Sequence, residues 1–186
     1  MPPPSPAADP SHPAGRYSAP ARFFHWTTVL LVALAWPAGR LIQASEGIAW
    51  LNALLYFIHE NLGATIWLLT LARLAWRFIN PPPPLPADLP AAMRRAAHAT
   101  HAALYVILLG QPIAGFITTN AFGFPLEFFG LVQLPNPVGE SEALGNAVKL
   151  LHWGTALALV LLLAAHLGGA FYHLLVRKDG IFRRMV

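Results

Sequence analysis

Four long, predominantly apolar stretches run through the chain, and the polar residues between them collect into short segments rich in proline, glycine and acid. A helix that crosses about 30 Å of hydrocarbon needs roughly 20 residues. The runs at 22–43, 52–79, 93–119 and 144–176 satisfy that length, so each is expected to be a transmembrane helix. Between the second and third lies "NPPPPLPADLP", a proline run that cannot continue a helix and makes a stiff connection. Between the third and fourth, "FGFPLEFFGLVQLPNPVGE" is a longer loop whose aromatic residues suit a membrane interface. The pattern exposes no internal repeat. The fold class it predicts is all-α, an integral membrane four-helix bundle spanning residues 20–186.

Composition sharpens this picture. With 56% hydrophobic and only 11% charged residues in 186, the chain lacks the polar surface of a soluble domain. The first nineteen residues, "MPPPSPAADPSHPAGRYSA", have neither a basic segment nor an apolar core of the signal-peptide kind. They are expected to form a disordered Pro/Ala-rich tail, with His12 solvated within it. Cysteine is absent, which excludes disulfides, thiolate metal sites, cysteine-ligated iron–sulfur clusters and covalently attached haem.

Twelve basic residues against eight acidic ones could suggest nucleic acid, but they form no single stripe, and no nucleic-acid partner is expected. Their placement instead orients the helices, because cytoplasmic flanks retain Lys and Arg. Arg16, Arg22, Arg73, Arg77, Arg94, Arg95, Arg177, Lys178, Arg183 and Arg184 fall on one side. The other side has Arg40 and Lys149 beside Glu46, Glu60, Glu127, Glu140 and Glu142. Both termini are therefore expected in the cytoplasm, with membrane lipid around the helices and the acidic loops outside.

This topology gives each of the eight histidines a depth. His25 sits near the cytoplasmic end of the first helix and His59 near the exterior end of the second. His152 and His166 are fourteen residues apart on the fourth helix, which places them within roughly 40° of one face and about 21 Å apart along the axis. Matching by depth pairs His25 with His166 and His59 with His152. Two imidazoles facing each other across a helical bundle are what a bis-histidine haem iron requires. The competing reading is a set of hydrogen-bonded interhelical contacts, although ionisable groups at this depth are functional by default. Methionine occurs only at positions 1, 93 and 185, which disfavours a His/Met haem. Gly63, Gly154, Gly168, Gly169 and Ala170 lie close to the paired histidines and would leave room for a flat macrocycle, or simply let helices pack closely. His98, His101 and His173 gather on the cytoplasmic side, where they could bind quinone carbonyls, relay protons, meet haem propionates or rest among headgroups. Lys149, one turn before His152, is either a snorkelling anchor or a cation beside the exterior site.

The stretches "RYSAPARFFHW", "FIHENLG", "AAHATHAALY", "KLLHW" and "AAHLGGAFYHLLVRKDGIFRRM" together resemble the bacterial cytochrome b561 family, from about residue 16 to the C-terminus. The resemblance implies a multi-pass inner (cytoplasmic) membrane cytochrome with two haem b groups in the bundle core. His25, His59, His152 and His166 are then the haem iron ligands. It further implies electron exchange with a quinone, ubiquinone in the superoxide oxidase branch, where electrons come from superoxide. Lys149 matches the lysine that this branch places near its exterior substrate pocket, and His98, His101 and His173 match inner-side histidines, the quinone candidates. The five exterior acids depart from that branch, since a basic funnel would favour an anion. Two other functions compete with this one. A membrane anchor and electron-relay subunit for a separate dehydrogenase or hydrogenase would need a redox protein partner, though related hydrogenase cytochromes usually have an additional helix. A haem-free transporter with histidine relays is opposed by the spans, whose sole carboxylate is Glu60.

Overall fold

The computed structural model describes residues 15–186; residues 1–14, with His12 and most of the expected tail, lie outside the described residues. Four long helices dominate it, α1 (Ala19–Ala44), α2 (Ala49–Ile79), α3 (Ala91–Ala121) and α4 (Glu142–Phe171). All four are long and apolar enough to cross a membrane. Each starts two or three residues before the apolar run that predicts it, because start signals lie outside that run. Pro20 occupies the first turn of α1, where a missing N–H costs nothing. Ser141 caps α4 by accepting a hydrogen bond from Leu144 N–H. Beyond Phe171 the fourth helix widens into a π-helical turn, Tyr172–Arg177, which ends at Lys178 in the left-handed conformation.

α1 packs along α2, α3 along α4, and α2 against α3. Few residues along the spans are fully buried, and large apolar side chains such as Leu30, Leu68, Val106 and Leu161 face outward. That exposure suits a lipid solvent, where burial is not what holds helices together.

The segment 80–90 between α2 and α3 is non-helical, as its prolines dictate. It joins both ends of the described chain at one end of the bundle, here the terminal end. Tyr17 N–H donates to Arg184 O at 3.0 Å, Arg184 Nη1 to Pro84 O at 2.7 Å, and Trp26 Nε1 to Met185 O at 2.8 Å. Arg177 bridges to Asp88 at 2.9 Å.

At the opposite end, the loop between α3 and α4 contains a feature the apolar pattern does not announce: an antiparallel hairpin, β1 (Glu127–Phe128) with β2 (Val132–Gln133). Its turn, closed by Leu131 N–H to Phe128 O, has positive φ at Phe129 and Gly130, the requirement of a type I′ turn. Gly130 takes this freely. Phe129 takes it at a cost of about 1 kcal/mol, held by its N–H bond to the buried Asn61 side chain and by its ring against Phe57. This is the hairpin end.

Candidate functional site

Two layers of side chains cross the bundle. At the hairpin end His59 of α2 faces His152 of α4, with ring centroids 6.0 Å apart and planes at 88°. At the terminal end His25 of α1 faces His166 of α4, with centroids 6.2 Å apart and planes at 77°. Helical spacing explains how one helix serves both layers, since fourteen residues of α4 return to nearly the same face about 21 Å further on.

The hairpin-end pair is gripped from behind. His59 Nδ1 lies 2.8 Å from Ala35 O and His152 Nδ1 lies 3.1 Å from Gln111 O. A carbonyl can only accept, so in each ring Nδ1 carries the hydrogen and Nε2 keeps its lone pair. Glycines let the rings reach those carbonyls. A Cβ at Gly39 would lie 2.5 Å from His59 Cε1, and one at Gly115 would lie 3.1 Å from His152 Cε1. Both glycines stand four residues after the accepting carbonyl, and each of these helices has a proline inside that stretch, Pro37 and Pro112. By contrast, a Cβ at Gly63, Gly154, Gly168 or Gly169 would meet nothing within 4 Å. The glycines nearest in sequence to the histidines are thus not the ones that touch them.

Gln111 does more for His152 than lend its carbonyl. Its Nε2 donates to His152 O at 2.9 Å, and its Oε1 accepts from Thr155 Oγ1. Glu60, next to His59, accepts from Thr119 Oγ1 at 3.0 Å. Lys149 extends over the Trp153 ring, with Nζ 4.9 Å from its centroid.

Around the terminal-end pair the surroundings differ. No ring nitrogen of His25 or His166 forms a hydrogen bond among the described residues. A third imidazole, His101 of α3, stands 5.3 Å from His166. His98, one turn earlier, is exposed. His173 is drawn elsewhere: its Nδ1 donates to Asp179 Oδ2 at 2.7 Å, and Arg177 Nε donates to the same oxygen at 2.9 Å. Burial alone would raise the Asp179 carboxyl, but these two bonds and one from Ile181 N–H outweigh it and hold the group below the usual carboxylate range. His98, His101 and His173 therefore do not form one cluster.

Two histidine pairs stacked along a four-helix membrane bundle suit few protein classes, and comparison with known proteins decides among them. The family profile described as prokaryotic cytochrome b561 matches residues 16–186. The chain belongs to this family. It is 29% identical over 181 residues to cytochrome b561 homolog 2 of Escherichia coli (strain K12), covering 92% of this chain and 91% of that protein. It is 30% identical over 173 residues to cytochrome b561 homolog 1 of the same organism, covering 92% of this chain and 97% of that one. This cytochrome is accordingly a membrane electron-transfer protein of a family that binds b-type haem.

Proposed function

We propose that the chain holds two haem b groups, one between His25 and His166 and one between His59 and His152, and moves electrons between an exterior donor and a membrane quinone. The observation that carries this reading is the spacing of the two pairs. Two imidazoles that shared one iron, each at about 2 Å with about 1 Å more from ring nitrogen to ring centre, would stand about 6 Å apart. The centroids lie 6.2 and 6.0 Å apart. At the hairpin end the tautomer also fits, because Nδ1–H is committed to a carbonyl and Nε2 is left for the iron. Bound there, haem supplies one-electron chemistry at the iron.

The terminal end faces the cytoplasm in this reading, supported by the ten Lys and Arg residues on that side. The membrane is the bacterial inner membrane. Superoxide is the donor supported by Lys149, whose ammonium stands on α4 one turn before His152. Two superoxide anions each release one electron and leave as dioxygen, while ubiquinone takes both electrons and two protons and leaves as quinol. On the cytoplasmic side His101 offers an imidazole beside His166, and His173, its Nδ1–H held by Asp179, offers the Nε2 lone pair to a quinol hydroxyl. The five exterior carboxylates favour a second reading in which a basic redox protein, rather than an anion, delivers the electrons.

The test is the absorption spectrum of the purified protein, with haem counted per chain, before and after superoxide and then ubiquinone are added. Two haems reduced by superoxide and reoxidised by quinone are expected, with the superoxide step slowed in Lys149→Ala while both haems are retained. Two haems indifferent to superoxide would transfer the donor role to a protein partner. Fewer than two would overturn the ligand assignment.

A further inference from the structure

The two helical hairpins repeat each other in a way that apolar periodicity conceals. On α1, His25 is followed after ten residues by the carbonyl of Ala35 and after fourteen by Gly39; on α3, His101 is followed at the same intervals by Gln111 and Gly115. On α4, His166 comes fourteen residues after His152, and on α2 the residue fourteen after His59 is Arg73. The hairpin-end layer is therefore matched between halves, with His59 answering His152. The terminal-end layer is not, because a guanidinium stands where the other half has an imidazole.

Fourteen residues after His59, Arg73 returns to nearly the same face of α2 about 21 Å further on, at the terminal-end layer. Its Cζ sits over the Tyr105 ring, 5.5 Å from the centroid. With Arg77, one turn further along α2, it lines a cavity of about 30 Å³ that also touches Tyr17, Trp76, Asn80 and Tyr105. The space suits about two waters or one carboxylate group. No carboxylate lines it, and neither guanidinium forms a salt bridge or hydrogen bond among the described residues. A cation within a membrane helix is costly unless it is paired, and a planar guanidinium matches a carboxylate through two parallel hydrogen bonds.

We infer that Arg73 and Arg77 receive the propionate carboxylates of the terminal-end haem, so that α4 supplies the iron with an imidazole at His166 while α2, at the matching position, supplies the macrocycle with its counter-charge. This rests on the ligand assignment proposed above. A fixed cation beside the macrocycle also favours the reduced state, which has one more negative charge.

The experiment compares Arg73→Gln, Arg77→Gln and Arg73→Lys with the parent protein by redox titration, by haem per chain, and by the rate of haem transfer to an excess of an apo-globin. Arg73→Gln is expected to lower the midpoint potential of the terminal-end haem and to speed its loss about tenfold, with the hairpin-end haem serving as an unchanged internal control. Arg77→Gln should do the same more weakly, and Arg73→Lys should restore the potential while remaining looser. Unchanged potential and loss rate in Arg73→Gln would overturn the inference. So would a drop in phospholipid phosphorus per chain with both haems unaffected, which would assign the cavity to a lipid phosphate instead. His166→Ala keeps the two levels apart: if it removes one haem while Arg73→Gln changes nothing, the ligand assignment stands and only the propionate role fails.

Discussion

The hairpin-end and terminal-end layers use the same pair of side chains in opposite ways. At the hairpin end each histidine is backed by a carbonyl and seated on a glycine of the neighbouring helix, so both rings are fixed by backbone. At the terminal end the paired rings have no such bonds among the described residues, and a third imidazole and a guanidinium share the layer. Backbone grips are insensitive to side-chain substitution and leave little freedom. Side-chain surroundings can be tuned and can move. A bundle built this way has one rigid station and one adjustable station.

The largest effect that would break this comparison is loss of a layer. His59→Ala and His152→Ala should each remove the same one of two haems, about half the haem per chain, while His25→Ala and His166→Ala remove the other. Haem quantitation with redox titration checks this. If His25→Ala and His59→Ala abolished one common signal, the pairing by depth would be wrong.

The seat itself comes next. Gly39→Ala places a methyl 2.5 Å from His59 Cε1, so the ring must leave its position or the helices must part, at a cost of about 1–3 kcal/mol. Gly115→Ala, with a 3.1 Å approach, should cost less. Haem retention during thermal unfolding in detergent should rank the parent protein above Gly115→Ala and Gly115→Ala above Gly39→Ala; equal behaviour of all three would mean that the glycines do not seat the rings.

Smaller still is the asymmetry within the hairpin-end layer. Gln111→Ala removes the side-chain bonds to His152 O and Thr155 but keeps the backbone carbonyl, for a loss of about 1 kcal/mol. Both haems should remain, with a shifted potential confined to the hairpin-end one. A shift in the terminal-end haem would contradict the separation of the layers.

The smallest effect concerns pH at the terminal end. Asp179 titrates lower in the folded chain than the ordinary value of about 4. Its stabilisation is therefore complete above that value and is lost as pH falls through the lower folded one. Asp179→Asn should lower the melting temperature at neutral pH, and the difference from the parent protein should shrink below about pH 4. A difference that persisted undiminished in strong acid would contradict the bonds from His173 and Arg177.

How far the sequence carries the fold can be judged from particular elements. Four apolar runs placed four helices to within three residues at nearly every end, because spanning length and helix-breaking prolines are one-dimensional properties. The β1–β2 hairpin escaped notice, since its strands are two residues long and its turn depends on Phe129 being held by Asn61 from another element. Gly39 and Gly115 were equally hidden. Both lie far from the histidines in sequence, and the signal that could have found them is the shared ten- and fourteen-residue interval after His25 and His101.

The sequence alone determined the four spans, the two depths of histidine and, through the family match over residues 16–186, a membrane cytochrome. Depth follows from position along a helix, and position is sequence. The tertiary structure alone decided which carbonyls hold His59 and His152, that His101 joins the terminal-end layer while His173 turns to Asp179, and that Arg73 and Arg77 line one cavity. All but the contact of His173 with Asp179 are relations across helices. They depend on how each helix is rotated about its axis, which an apolar span surrounded by lipid does not record, because lipid leaves most of its faces equally greasy.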